Sequence, residues 1–202
     1  MKEYFDKPKI IGICADVNQG KSNLIYHMIS ELQKQGEFSL YTFGLKNQIQ
    51  NATEFFSIDE LEQIENSIII IDETFNLFDL EDRKQKQLIE TTLRLINHNN
   101  NILVVCALPE NWKKFLGSKL DVLFFKKIKL HDLINGSRVK QIVTSYKGVE
   151  KGNSTMSLKI DETLVYDGKS YHKMKVPYYA KYDTKRKNVE IFVQNHVRKK
   201  SC

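Results

Sequence analysis

The sequence has few of the residues and segments that mark secreted or membrane-spanning proteins. Its three cysteines are an odd number without a CxxC pair, which argues against a disulfide framework or a structural zinc site, and its five histidines show no metal-ligand spacing. The first residues, MKEYFDKPK, lack the apolar region of a signal peptide, and apolar runs such as IIII at 68–71 are far too short to span a bilayer. We therefore expect a cytoplasmic protein in which Cys14 and Cys106 are buried, reduced thiols.

Acidic residues are scarce near the carboxyl terminus, and positive charge is concentrated there. Residues 169–202 contain ten Lys and Arg but two Asp and Glu, a net charge of +8. The other 168 residues contain 21 basic and 23 acidic side chains, a net charge of −2. This asymmetry predicts a polyanionic partner, nucleic acid first and an anionic membrane second. A solvated, solubilising tail is the alternative.

Short apolar strands alternate with helices through most of the chain. The apolar runs predict buried strands at 8–15, 38–43, 67–73, 101–108 and 121–130. Helical spacing or capping residues predict helices at about 21–34, 57–64 and 80–97, whereas GLKNQIQNATEFF is predicted to be irregular or partly helical. This order predicts an α/β fold, a mainly parallel sheet flanked by helices. TLVYDGKSYHKMKV adds a predicted C-terminal β-hairpin turning at Asp167–Gly168.

The loop after the first predicted strand carries a phosphate-binding pattern. ADVNQGKS at 15–22 matches G-x-x-x-x-G-K-[ST] at every position except the first, where Ala15 replaces glycine. It lies between an apolar strand and an amphipathic helix, as the chemistry requires, because amides at a helix N-terminus attract phosphate. Lys21 is predicted to reach the β- and γ-phosphates and Ser22 to ligate Mg²⁺. The predicted nucleotide-binding residues are Asp16, Val17, Asn18, Gln19, Gly20, Lys21, Ser22 and Asn23.

Two carboxylates end the apolar strand SIIIIDE. Asp72 is predicted to hold Mg²⁺, and Glu73 to polarise an attacking water. With the phosphate-binding loop, this pair predicts an ATPase that uses ATP and Mg²⁺, with Lys21 and Glu73 as catalytic residues.

The polar stretch KGVEKGNS then suggests two parts, an ATPase core at 1–148 and a basic hairpin and tail at 149–202 packed on it.

ADVNQGKS, IIIIDETFNLF and LRLINHNNNILVVCALP resemble the FtsK/HerA branch of P-loop ATPases over about residues 8–130. Within that branch the chain is similar to the genome-packaging ATPases of membrane-containing icosahedral viruses. The resemblance implies a RecA-like core, a homo-oligomeric ring with ATP held between subunits, translocation of double-stranded DNA, capsid or portal-vertex partners and a location in the host cytoplasm or the virion.

The resemblance also implies two further groups at the site. A neighbouring subunit's arginine would complete it, and Arg83, Arg94 and Arg138 are candidates. A polar sensor is expected at the end of the fourth strand of the core, where this chain has Cys106 and Ala107, so Asn101 and Asn111 are the candidates to replace it.

Two basic segments are candidates to grip DNA phosphates without reading sequence. One is Lys126, Lys127 and Lys129; the other is the tail, with Lys181, Lys185, Arg186 and Lys187 beside Tyr178, Tyr179 and Tyr182.

Two alternative functions stay open at this point. A nucleoside or nucleotide kinase would transfer phosphate to a nucleoside, and a non-translocating ATP-dependent assembly factor would show no stimulation by DNA.

Overall fold

The computed structural model describes residues 4–5, 8–34, 39–45, 49, 51–72, 83–109, 119–128 and 155–177. Within these residues, two α-helices, α1 (Lys21–Gln33) and α2 (Arg83–His98), accompany eight strands. The strands are β1 (Lys9–Cys14), β2 (Ser39–Phe43), β3 (Ala52–Glu54), β4 (Ser67–Ile71), β5 (Ile102–Ala107), β6 (Val122–Phe125), β7 (Glu162–Tyr166) and β8 (Tyr171–Lys175). Short 3₁₀ helices occupy Ile58–Gln63 and Thr155–Ser157.

All eight strands form one sheet in the order β3-β2-β4-β5-β1-β6-β7-β8. The pairs from β3 to β6 are parallel, and β7 and β8 are added antiparallel beyond β6. The predicted α/β fold with a C-terminal hairpin is confirmed. The proposed division at 148/149 falls outside the described residues, but the hairpin belongs to the same sheet as the rest.

Helices cover both faces of this sheet because the strand side chains alternate between two apolar clusters. Ile11 and Ile13 of β1 pack with the apolar face of α1, while Ile10 packs on the other side with Leu93 and Ile96 of α2. Each central strand is therefore buried on both sides, which explains its uninterrupted apolar sequence. Within the described residues, no helix combines the length and the apolar character needed to cross a membrane.

Two strands differ from expectation. The stretch predicted to be irregular or helical contains β3, whose three residues form a strand by pairing with the edge of β2. β6 ends at Phe125 rather than near 130, because its partner β1 ends at Cys14, where the next loop begins. The Lys126 amide makes one further hydrogen bond, to the Cys14 carbonyl at 2.9 Å.

The parallel register brings the carboxyl ends of the central strands to one edge. β5 lies between β1 and β4, with Cys14 opposite Ala107 and Ile71 opposite Val105. The carboxyl ends of β1 and β4 therefore lie at one edge, where ligand-binding loops begin in open α/β sheets.

Candidate functional site

The loop from β1 to α1 turns through two left-handed residues. Asn18 has a φ of 60° and Gly20, the N-cap of α1, a φ of 82°. Asparagine and glycine are the residues that adopt this conformation most readily. Ala15 is buried and lies outside the left-handed region, so its position does not need glycine. The one departure from the phosphate-loop pattern is thus compatible with the turn.

The start of α1 suits an anion. No side-chain hydrogen bond caps the helix, and its first turn contains no acidic residue. The first-turn amides therefore carry the partial positive charge that a phosphate would satisfy. The Asn23 side-chain amide donates to the Pro177 carbonyl at 2.9 Å, so the first turn of α1 is joined to the segment that follows β8.

The structure brings Lys21 and Asp72 together. The Lys21 Nζ lies 2.5 Å from the Asp72 Oδ1, with 15% of the lysine side chain and 6% of the aspartate side chain exposed. Lys21 begins α1 and Asp72 directly follows β4, so the ion pair spans β5 at the carboxyl edge of the sheet. An ammonium, a carboxylate and uncapped helix amides meet at this point.

Gly44 is a site residue that the sequence analysis missed. Its φ is 73°, and a Cβ there would collide with the Asp72 carbonyl oxygen. The Asp72 amide also donates to the Phe43 carbonyl at 2.9 Å, so the end of β2 fixes the backbone that carries the carboxylate. A glycine just after a strand was visible in the sequence, but its close partner is 28 residues away.

The thiol of Cys106, near the end of β5, lies within the electrostatic reach of the ion pair. Burial raises the pKa of Cys106 well above its usual value, the Asp72 carboxylate adds to the rise, and the Lys21 ammonium opposes it. The thiol is therefore protonated at neutral pH. Cys14 and Cys106 are both buried, and neither forms a disulfide, as predicted.

Comparison with protein families and with curated proteins finds no match for the chain. Several solved structures share its fold. The genome-packaging NTPase B204 of Sulfolobus turreted icosahedral virus 2, solved with ATP-gammaS, has a TM-score of 0.63 at 15% identity over 85% of this chain and 98% of its own. B204, the DNA-packaging ATPase from Sulfolobus turreted icosahedral virus, has a TM-score of 0.59 at 16% identity over 85% and 98%. The pCW3 conjugation coupling protein TcpA has a TM-score of 0.57 at 15% identity over 84% of this chain and 60% of its own.

The chain has the fold of P-loop ATPases. The RecA-like expectation for residues 8–130 is met at the level of architecture, and the likeness covers 84–85% of the chain.

An Mg²⁺ ion at this site would have to be held by a bound nucleotide as well as by protein side chains. Among the described residues no group of three His, Cys, Asp or Glu could hold a metal by itself. Mg²⁺ typically binds through one or two protein groups together with substrate phosphates. Ser22 on the first turn of α1 and Asp72 beside Lys21 are compatible with such shared coordination.

Two sequence predictions are wrong. Asn101, a candidate sensor, lies at the amino end of β5, where its side chain accepts from the Ser67 amide at 2.9 Å and donates to the Ile64 carbonyl at 2.6 Å. It therefore stabilises the opposite edge of the sheet. Lys126, a candidate DNA contact, is 0% exposed and donates to the carbonyls of Ile160 and Glu162 at 2.6 and 2.9 Å. It cannot reach a DNA backbone from there.

The remaining candidates divide into exposed and undescribed residues. Arg83 and Arg94 are exposed on α2, and Lys127 is exposed after β6, so all three face solvent. The other predictions lie outside the described residues; they concern Glu73, Asn111, Lys129, Arg138, Tyr178, Tyr179, Lys181, Tyr182, Lys185, Arg186 and Lys187.

Proposed function

We propose that this chain is an ATPase that couples Mg²⁺-dependent ATP hydrolysis to translocation of double-stranded DNA, as a homo-oligomeric ring. The observation that carries the proposal is the Lys21–Asp72 ion pair at 2.5 Å, at the uncapped N-terminus of α1. These are the groups that a phosphate-binding loop and its metal-side carboxylate supply, in the place where loops of parallel strands bind ligands.

Each residue has a defined task in this proposal. Bound Mg²⁺·ATP would supply the phosphoanhydride and the neutralising cation. Lys21 would exchange its contact with Asp72 for the β- and γ-phosphate oxygens, and the loop amides around Gly20 would hold the phosphates. Ser22 and Asp72 would hold Mg²⁺, and Glu73 would orient the attacking water and accept its proton.

Two observations support the DNA part of the proposal. B204 and TcpA, which share the fold, are described as a DNA-packaging ATPase and a conjugation coupling protein. The net charge of +8 over residues 169–202 supplies the cations that non-specific phosphate contacts need. Viral genome packaging, with capsid or portal-vertex proteins as partners, is the specific process that we propose.

The test is the rate of phosphate release from ATP, with and without duplex DNA, at low and high salt. We expect DNA to raise the rate and salt to reduce that stimulation. Lys21→Ala should abolish nucleotide binding or turnover, whereas Glu73→Gln should keep binding and lose hydrolysis. Lys119→Ala removes an exposed lysine before β6 and should behave as wild type.

Other outcomes would point elsewhere. Transfer of the γ-phosphate to a nucleoside would identify a kinase. Hydrolysis that duplex DNA never stimulates at any salt concentration would favour an assembly factor. Wild-type turnover in Glu73→Gln would remove that residue from its proposed role.

A further inference from the structure

Lys126 is a fully buried lysine, and its side chain lies close to the phosphate-binding loop. Its Nζ donates to the carbonyls of Ile160 and Glu162 at 2.6 and 2.9 Å. A Cβ on Gly20 would lie 3.4 Å from its Cε. One side chain therefore lies beside the loop and binds the segment that leads into β7.

That segment, residues 159–162, is a self-contained turn resting on the loop, here called the 159–162 turn. The Glu162 amide donates to the Lys159 carbonyl at 3.0 Å, and the Lys159 amide donates to the Glu162 Oε2 at 2.9 Å. A Cβ on Gly20 would lie 3.2 Å from the Ile160 carbonyl and 3.5 Å from its Cγ1. A side chain at position 20 would therefore crowd the turn, in addition to straining the positive φ.

The turn is also joined to the C-terminal hairpin. The Val176 amide, just after β8, donates to the Asp161 carbonyl at 2.7 Å, and the adjacent Pro177 accepts from Asn23 of α1. Ile160 is 57% exposed, so its apolar side chain is open to solvent beside the loop.

We infer that Lys126 is a positioning residue of the nucleotide site, which holds the 159–162 turn against Gly20 so that Ile160 forms an apolar wall for the nucleoside part of ATP. The inference rests on the proposed ATP binding. It assigns the C-terminal hairpin to the nucleotide site rather than to DNA alone. A buried ammonium suits this task because charge-assisted hydrogen bonds to two carbonyls set both the distance and the direction of the turn.

The test measures the Kd of a fluorescent ATP analogue and the kcat and KM for ATP, without DNA. For Lys126→Met we expect Kd and KM to rise about tenfold, the loss typical of a charged hydrogen bond, with kcat within about twofold. Ile160→Ser, on an exposed side chain, should raise Kd about threefold without affecting folding, the effect of losing a small apolar contact. Lys119→Met is the matched control, since it removes an exposed lysine at the opposite edge of the sheet.

The outcomes separate the two proposals. If wild type binds no ATP analogue, the proposed function fails. If wild type binds and both Lys126→Met and Ile160→Ser bind equally well, the positioning role is refuted while ATP binding stands. If Lys126→Met does not fold, as judged by circular dichroism, Ile160→Ser decides alone: a raised Kd supports the wall and an unchanged Kd overturns it.

Discussion

The Lys21→Met substitution removes the 2.5 Å ion-pair partner of a carboxylate that is almost entirely buried. At an effective dielectric constant of about 20, two charges at this distance attract by roughly 6–7 kcal/mol, which desolvation of both groups largely offsets. Removing one partner of a buried pair typically costs about 3–5 kcal/mol. Lys21→Met leaves the almost fully buried Asp72 carboxylate without its partner, so we expect a loss of about 3 kcal/mol. Asp72→Asn leaves a lysine that is partly exposed to water, so we expect a smaller loss of about 2 kcal/mol.

The double variant separates the interaction energy of the two charges from the effect of losing each side chain. Lys21→Met with Asp72→Asn leaves no unpaired charge, so we expect a loss of about 2 kcal/mol and an interaction energy of about 3 kcal/mol. The assay is urea unfolding at pH 7 without nucleotide, requiring equal m-values for all four proteins. Lys119→Met should change the free energy of unfolding by less than about 0.5 kcal/mol. If the double variant lost the sum of the two single losses, the charges would not be coupled and the reasoning would be refuted.

Three further predictions concern the surroundings of this pair. Gly44→Ala should cost about 3 kcal/mol, from the positive φ and the collision with the Asp72 carbonyl, and a urea midpoint close to wild type would contradict it. Burial lowers the pKa of Lys126 from 10.5 to about 8, against the opposing charges of Asp161 and Glu162. Between those pKa values the unfolded chain binds more protons than the folded chain, so stability rises with pH. From pH 7.5 to 10 the free energy of unfolding of wild type should increase by about 2 kcal/mol relative to that of Lys126→Met. If the free energies of unfolding of the two proteins changed equally with pH, the pKa shift would be excluded. Because burial raises its pKa, Cys106 should resist iodoacetamide at pH 8 until urea unfolds the chain, as mass spectrometry of its peptide would show; rapid native labelling would mean that the thiol is accessible.

Local patterns in the sequence were enough to locate most of the fold. Periodicity placed α1 within one residue of its observed bounds, and the apolar runs located β1, β2, β4 and β5. These elements are decided by which of their own faces is buried, and such information repeats every two or 3.6 residues. β3 could not be found in this way, because three residues carry no period and its strand conformation depends on pairing with β2.

The site was only partly predictable, since its residues meet across long separations. The proximity of Lys21 and Asp72 could be predicted because each belongs to a recognisable motif at the same edge of a parallel sheet. Gly44 could not, because its role depends on the backbone of a residue 28 positions later. Lys126 was misassigned to DNA because FFKKIKL looks like a strand with solvated charges, and nothing local shows that residues 160 and 162 lie across it.

Lys21 and Lys126 differ in what the binding of a nucleotide would require of them. Lys21 is paired with a carboxylate that the proposed Mg²⁺ would need, so ATP binding must exchange that contact for phosphate and metal contacts. Lys126 is bound to backbone carbonyls of the 159–162 turn, which the phosphates do not need, so its contacts can persist unchanged. Lys21 is therefore expected to change its contacts when ATP binds, and Lys126 to keep them. It follows that ATP should protect Lys126→Met from unfolding but stabilise Lys21→Met little, since only the second variant lacks the group that the exchange requires.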